Sequence, residues 1–323
     1  MACILITGAN GYIGSAITKE MSRRGHTILA GTRIRCPALD GHHGTSNIVY
    51  GDLTAVSDFS SILNGVDVVI HTAAMVHRRI APAEAAASIF DRLNRQLVQD
   101  LARDACSAGV NRIILLSTIA VHGKGSVATS IDAESPLSPV SAYAISKAEA
   151  EEVLRSECAG SSTEWTIIRP SMVYGENSPG NFDRLVRAVR RRIPLPFRSI
   201  NNRRSILSID HLVDLIALAV ERPGAKGEVF VAADASPTST RDIVEAIGEG
   251  LGQKAITWPL RPSLMAHAGR VLGMEDTVSS LIDDFVVDSG KACEILGWVP
   301  AGYSRVEIVR YLRSTPGSPN EWG

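Results

Sequence analysis

An apolar run, Ile4–Thr7, leads directly into Gly8-Ala9-Asn10-Gly11-Tyr12-Ile13-Gly14, and an amphipathic stretch, Ser15–Arg24, follows at once. No other feature constrains the fold as much. Glycines between a strand and a helix serve three needs. One makes the tight turn, one lets backbone approach a pyrophosphate, and one permits close packing of helix on strand. The helix adds unpaired N–H groups and the positive end of its dipole, both aimed at phosphate. The spacing here is G-x-x-G-x-x-G rather than G-x-G-x-x-G. In this context it predicts a dinucleotide-binding unit at the head of a parallel sheet.

The following segments extend that sheet. Thr27–Gly31, Ile48–Tyr50, Val66–His71, Arg112–Ser117 and Thr166–Arg169 are short runs with continuous rather than alternating apolar residues, as in strands covered on both faces. Between them Ile89, Leu93, Leu97 and Leu101 recur every fourth residue and place one apolar stripe on a helix. The alternation predicts an α/β fold with a doubly wound (Rossmann) parallel sheet. Past Gly175 segments shorten, Pro becomes more frequent, and arginines gather from Arg184 to Arg192 as a solvated helix face. Ile206–Val220 reads as a helix and Val229–Ala232 as a strand returning to the main sheet. The expected division is a dinucleotide-binding domain over 1–175, with 205–232 returning to it. A smaller, mostly helical C-terminal substrate domain takes 176–204 and 233–323, with a loose tail after Ser314.

Composition narrows the class further. At 323 residues the chain has room for two domains. Its 33 basic and 34 acidic residues leave a net charge of −1, which argues against a general nucleic-acid or polybasic membrane binder. Cys3, Cys36, Cys106, Cys158 and Cys293 are scattered, which predicts reduced thiols in a cytoplasmic protein rather than a disulfide framework or zinc module. The longest late apolar stretch, Leu212–Val220, is broken by Asp214 and is too short to cross a bilayer. His42-His43 and the pair His71/His77 lack a completing Cys or carboxylate, so no metal site is expected.

The end of the second strand sets cofactor choice. A carboxylate there would bond the adenosine ribose 2′-hydroxyl and repel a 2′-phosphate. This chain has Thr32-Arg33-Ile34-Arg35 instead. A guanidinium pairs with phosphate in forked geometry, so NADP(H) is favoured over NAD(H). Asp52-Leu53 follows the third strand, where an Asp can accept from the adenine amino group or cap a helix. Thr72-Ala73-Ala74 leaves room for a cofactor over the sheet crest. Further along, Tyr143 and Lys147 are four apart in an alanine-rich helical segment, hence on one helix face. An ammonium beside a phenol favours phenolate, and a phenol tuned this way exchanges a proton with a sugar hydroxyl. Thr118, 25 residues before Tyr143, stands at the carboxyl end of a central strand, where it can orient the reacting oxygen.

These pieces resemble the extended short-chain dehydrogenases, the NAD-dependent epimerase/dehydratase superfamily acting on nucleotide sugars. The matching segments are Thr7–Gly14, Gly51-Asp52-Leu53, His71–Ala74, Leu116–Gly123, Tyr143-x-x-x-Lys147, Arg169–Gly175, Asn181-Phe182 and Leu296-Gly297-Trp298. The resemblance implies Thr118, Tyr143 and Lys147 as a catalytic triad supported by Asn94, with Lys147 also on the nicotinamide ribose. It implies cofactor contacts from Gly8, Gly11, Tyr12, Ile13, Gly14, Asp52, Leu53, Ala73, Ala74, Pro170 and Val173, which join Arg33. For the substrate it implies Met75, Thr118, Tyr143, Asn181, Pro196 and Arg204. His122 stands where the family usually has Tyr, and Thr32 where NAD-retaining members carry Asp.

The implied substrate is a UDP-linked sugar, and the implied assembly a homodimer through a four-helix bundle of residues 88–108 and 142–158. The Arg169–Gly175 and Asn202–Ile209 stretches look most like reductases of UDP-4-keto-6-deoxy-HexNAc sugars from bacterial surface-polysaccharide pathways. The expected activity is therefore reduction of a C4 keto group, since a carboxylate-free ribose site suits a cofactor exchanged at every turnover. The alternatives are an NAD-dependent UDP-sugar 4-epimerase and a non-catalytic NADP-binding sensor. A 4,6-dehydratase is disfavoured because Thr118-Ile119-Ala120 lacks the acidic pair such enzymes carry.

Overall fold

β1 (Cys3–Thr7) is a strand because its side chains are apolar on both faces, and only Cys3 escapes full burial. In the computed structural model, which describes residues 1–53, 56, 58–74, 88–123, 130–176, 178–300 and 304–314, it lies in the middle of a parallel sheet. β2 (Thr27–Thr32) and β3 (Thr45–Val49) extend the sheet on one side of β1. β4 (Val68–His71), β5 (Arg112–Leu116), β6 (Glu164–Pro170) and β9 (Glu228–Ala232) extend it on the other. The order β3-β2-β1-β4-β5-β6-β9 reverses direction between β1 and β4, the switch point where doubly wound sheets bind ligands.

Helices cover both faces. On one face α1 (Tyr12–Arg23), α6 (Ile209–Glu221) and α10 (Gly290–Leu296) bury Ile17, Met21, Leu212, Leu215, Ile216 and Leu296 against the strands. On the other, α2 (Ser60–Leu63), α3 (Leu97–Ala108) and α4 (Ala142–Cys158) contribute Leu63, Leu97, Leu101, Ala105, Ala150 and Leu154. A third core lies in the C-terminal half, among α5 (Asn181–Arg190), α7 (Thr240–Gly250), α8 (Pro262–Val271), α9 (Glu275–Ile282) and α11 (Ser304–Ser314). Among the described residues all five cysteines are free thiols.

Three local differences from the sequence reading have physical causes. The first three residues of the expected helix Ile206–Val220 form a strand instead, β8 (Ile206–Ser208), paired in parallel with β7 (Met172–Tyr174). Ser208 then caps α6 by accepting from the His211 amide, so the helix cannot start earlier. The stripe from Ile89 to Leu101 is helical but passes through a π-helical turn at Asp91–Gln96, which rotates its buried face and turns Asn94 inward. The third strand starts and ends early, at Thr45 and Val49, because Tyr50 leaves it to reach the β1–β2 crest.

Candidate active site

The glycine loop is shaped by steric exclusion. A Cβ on Gly14 would lie 2.2 Å from the Gly8 carbonyl oxygen, and one on Gly8 would lie 2.9 Å from Ala73 Cα. Gly8 also sits at φ +72°, the left-handed region that favours glycine. Gly11 donates its amide to Gly8 O (2.9 Å) and occupies the N-cap of α1 with no side-chain cap bond, so the turn through Tyr12 and Ile13 keeps its amides for an incoming anion. The cradle has the form a dinucleotide pyrophosphate requires. Ala73 lies beside Gly8 with Thr72 Oγ1 donating to Thr7 O (2.7 Å), while Ala74 is exposed at the crest.

At the end of β2, Thr32 is fully buried, and its hydroxyl has no partner among the described residues. Arg33 projects to solvent. Tyr50 fills the gap between them and the cradle. Its phenol donates to Gly31 O (2.8 Å) and accepts from Gly8 N (2.9 Å), and a Cβ on Gly31 would lie 2.5 Å from its ring. Asp52 is exposed and Leu53 buried just beyond. Pro170 closes β6 and is buried, and Val173 is half-buried in β7. Met75 and His77 lie outside the described residues.

The proton-handling groups meet at the carboxyl end of β5. Thr118 caps the 3₁₀ turn Ile119–His122 by accepting from Ala120 N (3.2 Å). Its own proton is therefore available to the Tyr143 phenol, whose pKa the Thr118 hydroxyl acts to lower. Tyr143 occupies the first turn of α4, with Phe90 edge-on at 6.1 Å between ring centroids. One turn later, Lys147 is buried and donates from Nζ to Leu116 O (2.7 Å). Asn94 is buried in the π turn and donates to Ser146 Oγ (3.0 Å), which in turn donates to Tyr143 O (2.9 Å). All four expected catalytic residues thus converge on the start of α4.

One electrostatic expectation is overturned. The four-residue spacing predicts a phenol made acidic by Lys147, but burial pushes Tyr143 up to about 12, with only the Thr118 hydrogen bond acting the other way. Lys147 points at the Leu116 carbonyl instead, and burial brings its own pKa down to about 8 against the charge of Glu151. The sequence reading also passes over Glu151 itself. It is wholly buried and accepts from Ser117 Oγ (2.5 Å) and from Arg169 Nε (3.0 Å) and Nη2 (2.6 Å). Arg169 Nη1 bonds His122 Nε2 (3.1 Å), so that nitrogen is an acceptor and Nδ1–H donates to Pro136 O (3.2 Å). The available signal was the recurrence of polar residues at 143, 147 and 151, one helical column.

The remaining substrate candidates, Asn181, Pro196 and Arg204, lie in the later part of the chain. Asn181 opens α5, within 3.5 Å of Ser280 on α9, and Arg204 Nη1 donates to Asp283 O (3.0 Å) just after α9. Arg204 also exchanges both backbone hydrogen bonds with Thr238 (2.8 Å each), which fixes its Cα. Pro196 is half-buried in a segment bridged to Thr257 by Leu195. Among the described residues no group of His, Cys, Asp and Glu is placed to hold a metal ion, and no helix is long and apolar enough to cross a membrane.

Comparison with known proteins identifies the family and the fold. Residues 4–233 match the NAD dependent epimerase/dehydratase family. A UDP-glucose 4-epimerase of Vibrio cholerae is 34% identical over 301 residues, covering 92% of this chain and 90% of that one. An N-acetyl-alpha-D-glucosaminyl-diphospho-ditrans,octacis-undecaprenol 4-epimerase of Escherichia coli O157:H7 is 26% identical over 78% of this chain and 73% of its own. The fold is shared with UDP-glucuronic acid 4-epimerase from Bacillus cereus, solved with UDP-glucuronic acid and NAD. That structure aligns at TM-score 0.78 and 20% identity, over 97% of this chain and 99% of its own.

Proposed function

Because the chain belongs to the NAD dependent epimerase/dehydratase family, we propose that it reduces the C4 keto group of a UDP-linked (6-deoxy) hexosamine, using NADPH. The observation that carries this reading is the end of β2. Thr32 is buried there, Arg33 is exposed, and no carboxylate stands at the position that would repel a 2′-phosphate. When bound, the nicotinamide cofactor supplies the hydride. Gly8, Gly11, Tyr12, Ile13 and Gly14 hold its pyrophosphate, Arg33 its 2′-phosphate, and Lys147 its nicotinamide ribose.

The chain's own groups then handle the proton. With its pKa near 12, Tyr143 rests as neutral phenol and is set to give a proton to the oxygen at C4. The Thr118 hydroxyl, which acts to lower the Tyr143 pKa, stabilises the phenolate left behind. Asn94 holds the first turn of α4 through Ser146. Asn181, Pro196 and Arg204 take the nucleoside diphosphate.

In this reading residues 1–175 and 205–232 serve the cofactor, and 176–204 and 233–323 the sugar nucleotide. Two copies pair through residues 88–108 and Ala142–Cys158, a face on which Ile145 is 42% exposed. The protein works in the cytoplasm, in surface-polysaccharide sugar synthesis.

A 4-epimerase is the second reading, favoured by the 34% identity to the Vibrio cholerae protein. Purified protein given NADPH and a UDP-4-keto-6-deoxy-HexNAc separates the two. A reductase oxidises one NADPH per sugar, and Tyr143→Phe lowers kcat by about 10²–10⁴-fold with NADPH affinity kept. Cofactor that survives purification, with UDP-sugars interconverted without added NADPH, selects the epimerase. An inert wild type that binds NADPH selects a sensor.

A further inference from the structure

The net charge of −1 conceals a local segregation. Two segments, residues 190–198 and 253–274, are laid side by side by Leu195 N to Ile256 O (2.9 Å) and Trp258 N to Leu195 O (3.0 Å). They carry Arg190, Arg191, Arg192 and Arg198 on one and Lys254, Arg261 and Arg270 on the other, while all 34 carboxylates of the chain lie elsewhere. All seven cations are exposed. Arg270 alone among them approaches a carboxylate of the described residues, Glu275 at 4.0 Å.

The same two segments carry large exposed apolar side chains. Ile193, Ile256 and Trp258 are 44–46% exposed where the two segments meet. Along α8, Leu264, Ala268, Val271 and Leu272 follow the i, i+4, i+7, i+8 pattern of a single stripe. That stripe faces outward, with Leu264 55%, Val271 73% and Leu272 69% exposed. The adjoining side of the helix is already satisfied, because Met265 and Gly269 are buried and Gly269 leaves no space for a Cβ beside Val278.

We infer that this face seats on an anionic phospholipid surface, with α8 in the interfacial plane and the arginines among the headgroups. A helix with an apolar stripe, flanking cations and a nearby Trp has the composition of an interfacial element. A second copy is a poor occupant, since a two-fold contact would set seven cations against seven. Nucleic acid would use the cations but leave the aliphatic stripe uncovered. The inference does not depend on the reaction assigned above, and none of the residues varied below is placed in the catalytic or binding machinery.

Full-length protein is sedimented with vesicles of phosphatidylglycerol and phosphatidylcholine, and with phosphatidylcholine alone. Binding is expected only with the anionic vesicles, weakening as salt rises and accompanied by a blue shift of tryptophan emission. Neutralising Arg190 and Arg191 with Gln weakens it roughly thirtyfold, at the free energy known for each surface cation. Val271→Ser with Leu272→Ser weakens it without changing its salt dependence. Turnover of soluble substrate stays unchanged in both. Equal binding to neutral vesicles, no binding at all, or loss of a dimer in the Val271/Leu272 variant overturns the proposal. Tight binding of an unstructured RNA that survives the Val271/Leu272 change overturns it as well.

Discussion

Glu151 shows how much at this site depends on one buried carboxylate. It faces the Arg169 guanidinium in two directions and takes the Ser117 hydroxyl, and its charge supports the Lys147 ammonium. Removing one partner of a buried pair leaves the other uncompensated, at about 3–5 kcal/mol. Glu151→Gln is therefore expected to lower Tm markedly. It should also move the alkaline limb of kcat to lower pH, because Lys147, already near 8, loses the charge that raises it. Tm and the pH–rate profile check this together. Destabilisation with an unmoved limb would make Glu151 structural only. Arg33, by contrast, is exposed at the surface. Arg33→Gln should cut kcat/KM for NADPH by the loss of a charge-assisted bond, about 1.5–3 kcal/mol, and leave NADH little affected.

At the scale of elements, the strand–loop–helix unit carries its own constraint. A Cβ on Gly14 would overlap the Gly8 carbonyl, so Gly14→Ala must push α1 away from β1. Such overpacking costs about 1–3 kcal/mol, and the displaced amides no longer converge on phosphate. The expected result is a raised KM for cofactor with a largely intact far-ultraviolet circular dichroism spectrum, and NADPH titration checks it. This unit was legible in the sequence because its geometry is local: glycine spacing, a strand before and a helix after. The column Tyr143–Lys147 was legible for the same reason. The Glu151–Arg169 pair was not, since it joins α4 to β6, and no spacing encodes a contact between elements. Nor was the phenol's pKa, because burial belongs to the packed molecule and outweighed the Thr118 hydroxyl, the one group acting to lower it. The π turn around Asn94 stayed hidden because a fourfold apolar recurrence fits an ordinary helix equally well, and β8 because two apolar residues and a serine before a helix read as its first turn.

Two histidines give the whole molecule opposite responses to pH. His71, at the end of β4, is buried with Thr7 Oγ1 at 2.9 Å, and burial followed by the Lys147 charge brings its pKa down to about 3. The unfolded chain takes up a proton near pH 6.5 that the folded chain refuses. Stability from this group is thus complete above about 6.5 and lost, at about 1.4 kcal/mol per pH unit, as pH falls towards 3. His211 behaves inversely. Its Nδ1 lies 2.8 Å from Asp234, which also takes the Tyr174 hydroxyl (2.8 Å) and the Ser208 amide (3.1 Å). Burial opposes the charged form, but the Asp234 hydrogen bond and charge together prevail and raise its pKa. Its contribution is complete below about 6.5 and disappears as pH rises through the higher folded value. Asp234 follows β9 and grips β7 and β8, so the alkaline loss falls on the joint between the main sheet and the smaller one. Thermal unfolding followed across pH should show Tm highest near 6.5. His71→Gln should flatten the acid side alone and His211→Asn the alkaline side alone. An alkaline slope that survives His211→Asn would assign that loss to another group.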